Sequence, residues 1–313
     1  MMMMMDFLLE FVNYLVILVF MLMMVAFLTV FERKILGYIH LRKGPNKVGI
    51  MGVIQPFNDG VKLLCKELLI LNISNYLIFL YSPLMNLFLV MLLWVMVPYM
   101  NMMDYFNMSF LFFLCCLGLN VYSVMMMGWS SNSKYSFLGS VRIVAQMISY
   151  EVSMMIFLLS LMMVIKSYSV MVLYKNQIYL WFIFFFIIIF MMMWLIFLIE
   201  SNRTPYDFSE GESELVSGFN IDYSGGLFAF IFISEYMSII FMSFMMVILF
   251  FGGNLFSFYF YLLVLLFMFM FLWIRGSLPR YRYDKLMELA WKIFLPVSLM
   301  LMLFYFCMMM LML

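Results

Sequence analysis

The chain has 313 residues, of which 68% are hydrophobic and only 11% are charged, and its formal net charge is +1. A soluble domain carries about 45–50% apolar and about 25% charged residues, so this chain has too few charges to coat a surface facing water. The composition excludes soluble globular, disordered and fibrous proteins and predicts an integral membrane protein.

Eight segments are apolar enough to cross a bilayer, which takes about 20 residues each. They cover about residues 7–31, 76–98, 107–128, 143–165, 177–199, 225–250, 254–274 and 293–312. A basic loop follows the first segment instead of a small-residue cleavage site, which favours a retained helix over a signal peptide. We therefore expect an all-α, polytopic membrane protein in which residues 1–313 form a single integral membrane domain.

The basic residues are distributed unequally over the seven loops between these spans. The odd-numbered loops hold 15 lysines and arginines, and the even-numbered loops hold two. Basic loops remain on the cytoplasmic or matrix side of a membrane, so the odd loops are predicted to lie there and both termini on the opposite side.

The first loop combines five basic residues with Gly-Pro turn chemistry, from Arg33 to Lys47. Its second half, about residues 52–68, repeats apolar residues at helical spacing with polar residues on the other face. This pattern predicts an amphipathic helix in the plane of the interface. A basic loop that only sets topology would explain the charge but not the turn chemistry.

Two glutamates fall inside predicted spans, Glu151 in the fourth and Glu235 in the sixth. Insertion scales put an acid at a helix centre at a cost of about 2.5–3.5 kcal/mol, and such residues commonly serve as proton relays. The alternative for Glu151 is a structural ion pair with Arg142 or another base. Serines of the third loop make no catalytic triad, because His40 is the only histidine.

The fifth loop concentrates acids on the side of the membrane where the other loops are basic. Only Arg203 faces this set of six: Glu200, Asp207, Glu210, Glu212, Glu214 and Asp222. Crowded carboxylates raise one another's pKa and titrate as coupled sites. The apolar residues between them favour a buried cluster, with a solvated acidic loop as the alternative.

The seventh loop alternates arginines with aromatic residues from Arg275 to Tyr283, a pattern that favours an anionic-lipid contact or a partner-subunit surface over nucleic acid. One histidine cannot supply bis-His haem ligation. No dinucleotide or phosphate-binding glycine motif occurs, and no cysteine set suits an iron–sulfur cluster or a metal. We expect no redox centre in this chain.

The odd loops together resemble the family of chain 1 of NADH–ubiquinone oxidoreductase, the membrane subunit of respiratory complex I. The motifs ERKILGY, RKGPNKVG, ISYEV, NRTPYDF and EGESELVSGFN carry the resemblance, and the eight-span frame extends it over essentially the whole chain. The resemblance implies a mitochondrial inner-membrane subunit that is not catalytic alone. It binds no cofactor itself, and NADH, FMN and iron–sulfur clusters belong to partner subunits.

The resemblance also implies roles for individual residues. Its matrix loops would close over a ubiquinone tunnel shared with peripheral-arm subunits, next to membrane-arm subunits and lipids. The residues implied to line or support that tunnel are Arg33, Arg42, Asp59, Gly60, Phe232, Arg275 and Arg280. Those implied to couple quinone reduction to proton translocation are Glu151, Arg142, Glu200, Asp207, Glu210, Glu212, Glu214 and Glu235.

Four positions depart from the usual pattern of that family without removing a charged site residue: His40, Gly60, Lys134 and Tyr206. The alternative function is a self-contained secondary transporter or antiporter that uses Glu151 and Glu235 as ion sites. It would favour repeat symmetry and broken helices at the midplane, and the sequence has neither feature.

Overall fold

The computed structural model describes residues 2–97, 106–207, 218–255 and 257–312, and within them it contains α-helices but no strand. The α-helices are α1 Met2–Ile39, α2 Gln55–Leu64, α3 Tyr76–Leu93, α4 Ser109–Ser130, α5 Lys134–Ile165, α6 Val170–Asn176, α7 Ile187–Glu200, α8 Gly225–Phe250, α9 Phe258–Ser277, α10 Tyr283–Leu289 and α11 Leu295–Met312. Short 3-10 turns precede α2 and α7 and follow α3, and the π-turn Ala290–Phe294 joins α10 to α11.

Seven helical segments among the described residues are long and apolar enough to cross a membrane. They are Phe11–Ile39, Tyr76–Met96, Ser109–Ser130, Lys134–Ile165, Gly225–Phe250, Phe258–Ser277 and Tyr283–Leu311. The shorter apolar helix α7 accompanies them. The predicted all-α, polytopic membrane class is confirmed, whereas the single domain and the orientation of the loops stay predictions.

The fifth predicted span differs most from the structure. The sequence predicts one helix over about residues 177–199, but α7 begins at Ile187, after the 3-10 turn Phe182–Phe184. Residues 181–186 are five aromatic residues and one β-branched residue. Such side chains lose rotamer freedom in a helix, so a continuous apolar run does not ensure a continuous helix.

Helix α8 forms the centre of the bundle and packs against α1, α2, α3 and α9. Every residue from Ile239 to Phe250 is buried. A helix that is apolar on all sides is expected in such a position, since no face has to meet water or lipid. Helix α11, by contrast, leaves residues such as Met300 and Leu303 exposed at the periphery.

The predicted amphipathic helix is present as α2, which starts with a proline in its first turn and packs against α1 and α8. Phe57 meets Phe27 of α1 edge to face, with ring centroids 6.3 Å apart. The helix is shorter than the predicted range of 52–68, because Ile50–Gly52 is a 3-10 turn and α2 ends at Leu64.

Candidate functional site

Charged side chains from four separate elements meet at one end of the bundle. We call this group, together with one tyrosine, the Glu32 cluster. Its members are Glu32 of α1, Arg203 after α7, Glu235 and Tyr236 of α8, and Arg275 of α9. Glu32 is 4% exposed and accepts a hydrogen bond from the Tyr236 hydroxyl at 2.7 Å. The Arg275 guanidinium also pairs with the Glu32 carboxylate.

Arg203 stands between the two carboxylates of the cluster. Its Nη1 lies 3.9 Å from Glu32 Oε1 and its Nη2 lies 4.0 Å from Glu235 Oε2. The guanidinium also lies over the Tyr236 ring, 4.4 Å from the centroid. A buried charge is tolerated only when it is paired, so each partner is needed by the others.

A second pair ties the segment after α7 to the segment after α9. Asp207 Oδ2 lies 3.7 Å from Arg280 Nη2, and the Tyr281 backbone N–H donates to the Pro205 carbonyl at 3.0 Å. The Tyr206 and Tyr281 rings stack with centroids 5.4 Å apart. Burial, followed by the neighbouring Tyr281, raises the pKa of Tyr206 above 10.0, so its hydroxyl remains neutral.

A third pair joins α1 to the amphipathic helix. Arg33 Nη1 lies 2.7 Å from Asp59 Oδ2, and Gln55 donates to the other carboxylate oxygen at 3.1 Å. Both members of the ion pair are partly exposed, so this contact orients α2 more than it stabilises the fold. Arg42 is exposed in the turn after α1, and a Cβ added at Gly60 would meet no atom within 4 Å.

A small polar cavity separates Glu200 from Glu235 inside the bundle. Its volume is about 40 Å³, and besides the two glutamates it is lined by polar side chains that include Asn86, Asn120 and Ser234. One water needs about 10–15 Å³, so the cavity has room for about three. The Glu200 side chain is buried, and its Oε2 has no hydrogen-bond partner among the described residues.

A third glutamate and a set of hydrogen-bonded polar side chains lie near Glu200 and Glu235. Glu151 of α5 is close enough for its charge to act on Glu200, and a Cβ on Gly118 of α4 would lie 3.2 Å from Glu151 Oε1. Asn86 donates to Ser234 at 2.7 Å and accepts from Ser123 at 3.2 Å. A hydrogen-bonded set of polar side chains therefore lies beside the cavity that Glu200 and Glu235 line.

Comparison with known proteins identifies the family. Residues 12–306 match the sequence model of the NADH dehydrogenase family. The chain belongs to the NADH dehydrogenase family. The family resemblance predicted from the loop motifs is thereby confirmed.

Relatives of this NADH dehydrogenase family member are similar to it over nearly their whole length. A Locusta migratoria protein is 52% identical over 95% of both chains, and an Anopheles gambiae protein is 53% identical over 88% of both. An Apis mellifera ligustica protein is 45% identical over 94% of this chain and 96% of its own. All three are named NADH-ubiquinone oxidoreductase chain 1.

Some predicted site residues of this family member belong neither to the Glu32 cluster, nor to the other two ion pairs, nor to the polar cavity. The Arg142 guanidinium lies over the Tyr283 ring, 5.8 Å from its centroid, and nine residues of continuous helix separate it from Glu151, about 13 Å along the axis. Its role as the neighbour of Glu151 stays a prediction. Phe232 lies one helical turn before Glu235 and packs against Phe228. Glu210, Glu212 and Glu214 lie outside the described residues.

The sequence reasoning did not place Glu32, Arg203 or Tyr236 in the candidate site of this family member. Glu32 stands beside Arg33 and Lys34, so it is easily taken for one member of a basic topology loop. Its buried state depends on α1 packing beside α8 and α9, which one-dimensional spacing does not reveal. The available signal was an acid directly after a mostly apolar run, at the predicted end of a span.

Proposed function

We propose that this chain is the membrane subunit of a proton-pumping NADH:ubiquinone oxidoreductase in the mitochondrial inner membrane. It forms a quinone-binding tunnel with peripheral-arm subunits and links quinone reduction to proton translocation. The names of relatives that match over 88–96% of their length support the assignment to this complex. The polytopic helical fold supports a membrane-arm position.

The observation that carries the proposal is the position of Arg203 between Glu32 and Glu235. Quinone reduction adds two electrons and two protons, so charge develops where the headgroup binds. At an effective dielectric constant of about 20, a unit charge acts on another 4 Å away with about 4 kcal/mol. A charge change felt at Glu32 is thus transmitted by the guanidinium toward Glu235.

On the quinone side, Arg33, Arg275 and Arg280 supply donors and positive charge that stabilise a carbonyl oxygen as it gains electrons. Asp59 and Asp207 hold Arg33 and Arg280 in place through the ion pairs already described. The substrate is ubiquinone, and partner subunits hold the NADH, FMN and iron–sulfur clusters. The chain itself binds no redox cofactor and is not catalytic alone.

On the proton side, Glu235, Glu200 and Glu151 form a carboxylate path, and the cavity between Glu235 and Glu200 has room for about three waters. Glu200 Oε2 is buried and has no hydrogen-bond partner among the described residues, so it can accept a hydrogen bond from a water in this cavity. Glu210, Glu212 and Glu214 extend the path according to the family resemblance. Arg142 supplies a basic group on the same helix as Glu151.

The test of coupling is Glu235→Gln in the assembled complex. It keeps the size of the side chain but removes a titratable group, so quinone-linked NADH oxidation and proton pumping should both fall. NADH oxidation with a hydrophilic electron acceptor, which bypasses the quinone, should remain. The matched control is Glu288→Gln, since Glu288 of α10 is an exposed residue that pairs with Lys292 of the following π-turn. Normal quinone-linked rates and pumping in the Glu235 variant would refute the proposed role.

A photoreactive ubiquinone tests the tunnel side and separates this function from transport. We expect labelled peptides that contain Arg33 and Arg275, with labelling suppressed by excess unlabelled ubiquinone. Labelling elsewhere in the chain but never at these two peptides would contradict the tunnel assignment. A self-contained transporter would instead move ions across vesicles that contain this chain alone.

A further inference from the structure

An apolar groove runs along the outside of α1 where this helix packs beside α9. Its volume is about 320 Å³, and Val53, from the segment before α2, also lines it. Eight of the nine lining side chains are apolar, and the ninth is Lys34. The groove therefore has an apolar body with a single cation at one end.

The length of the groove matches one leaflet of a bilayer. Its α1 lining extends from Met24 to Lys34, ten residues or about 15 Å at 1.5 Å per residue. The hydrocarbon core of a bilayer is about 30 Å thick, so one leaflet contributes about 15 Å. Lys34 lies five residues before the end of the span Phe11–Ile39, where its side chain can reach the headgroups.

The width of the groove suits one hydrocarbon chain. A volume of about 320 Å³ spread over about 15 Å gives a mean cross-section of about 21 Å². An α-helix with its side chains is about 10–12 Å in diameter, which requires a cross-section several times larger. A transmembrane helix of a neighbouring subunit could therefore insert side chains into this groove but not its whole cross-section.

The charge of Lys34 distinguishes between the remaining occupants. Neighbouring Glu32 and Arg33 are paired with Arg275 and Asp59. Among the described residues, no carboxylate lies within ion-pair distance of Lys34, whose side chain is half-buried. A lysine can lay its apolar stem along such a groove and present its ammonium at the interface. A quinone headgroup is neutral and does not need that charge, whereas a phosphate does.

We propose that this groove binds one acyl chain of an anionic phospholipid, with the lipid phosphate on the Lys34 ammonium. Arg42, Lys43 and Lys47 follow in the same loop and are exposed, so they add to the attraction for an anionic surface. The site is independent of the proposed quinone role, because it is defined by lipid binding alone. It positions a lipid against α1, the helix that also carries Glu32.

The first experiment measures lipid binding to the purified, delipidated complex. Photoreactive phosphatidylglycerol in phosphatidylcholine nanodiscs should label α1 and α9 peptides that line the groove, and photoreactive phosphatidylcholine should label them less. Lys34→Gln should weaken phosphatidylglycerol binding about fivefold, since one lysine near an anionic headgroup contributes about 1 kcal/mol. The matched control, Lys175→Gln, removes an exposed lysine of α6 outside the groove and should leave binding unchanged.

A second variant tests the groove without changing charge. Leu265→Trp fills the cavity and should abolish labelling there, whereas Leu303→Trp, at an exposed position on α11, should not. Equal labelling by both lipids, or no effect of Lys34→Gln, would overturn the role of the charge. Labelling of the groove by a photoreactive quinone instead of the lipid, or by no probe because another subunit covers it, would overturn the site.

Discussion

Replacing Glu32 with glutamine is the sharpest test of the buried charge cluster. The change keeps the size of the side chain and its capacity to accept a hydrogen bond from Tyr236. It removes only the negative charge that faces the guanidinium groups of Arg203 and Arg275. The effect measured is therefore the electrostatic contribution of Glu32, separated from packing.

The size of the effect follows from burial. Removing one partner of a buried ion pair costs about 3–5 kcal/mol, because the remaining charge is left without compensation. The Arg275 side chain is 31% exposed, so water compensates part of its charge and the lower value applies. About 3 kcal/mol corresponds to a local opening equilibrium that is about a hundredfold more favourable.

Hydrogen–deuterium exchange of the assembled complex measures this local opening directly, since backbone amides exchange when their segment opens. Amides at the end of α1 that carries Glu32, and in the α8 turn around Tyr236, should exchange about a hundredfold faster in the Glu32→Gln variant. The control is Glu288→Gln, where an exposed pair with Lys292 contributes about 0.5 kcal/mol or less. Its exchange should change by no more than about twofold.

The result that would refute the reasoning is unchanged protection of both segments in the Glu32→Gln variant. Such a result would mean that the cluster is hydrated in the assembled complex, so that Glu32 has the energetics of a surface acid. Equal acceleration in the Glu32 and Glu288 variants would point to the same conclusion. Acceleration throughout the chain would indicate general unfolding, not loss of a local ion pair.

Two further changes test the packing around the site. Gly128→Ala should destabilise the contact of α4 with α5 by about 1–3 kcal/mol, because the new methyl group would overlap the Ser140 side chain, and heat inactivation of the complex should occur earlier. Gly60→Ala, in open space within α2, should not make inactivation earlier, since alanine favours a helix more than glycine does. Asp207→Asn should loosen the segment after α9, since Arg280 loses its ion pair. Limited proteolysis near Arg280 should become faster, and an unchanged cleavage rate would contradict the stabilising role of this ion pair.

Much of the helical frame could be predicted from the sequence, since apolar length alone indicates most spans. The exception, α7, shows the limit of that criterion: residues 177–199 are apolar and long enough to cross a membrane, yet the α-helix in that range begins only at Ile187. Hydropathy measures transfer into lipid, whereas helix formation also depends on side-chain rotamer freedom. An aromatic run satisfies the first requirement and not the second.

The candidate site was predicted as two sets of residues, and the structure joins members of different sets. Arg280 was assigned to the tunnel and Asp207 to proton coupling, but they form one ion pair. Arg275 and Glu235 were likewise assigned separately and now belong to one cluster through Glu32 and Arg203. Such contacts depend on which helices are neighbours, and a helix such as α8, apolar on nearly every side, gives no preferred face from which to infer them.

The chemistry of the guanidinium group explains why the residue between Glu32 and Glu235 is an arginine. Its two terminal nitrogens face two different carboxylates, Nη1 toward Glu32 and Nη2 toward Glu235, while the plane of the group covers the Tyr236 ring. A lysine has one compact charge and no planar face, so it could satisfy only part of this arrangement. The single base of an acidic loop is therefore specified by shape as well as by charge, since this geometry brings one guanidinium within ion-pair distance of both carboxylates.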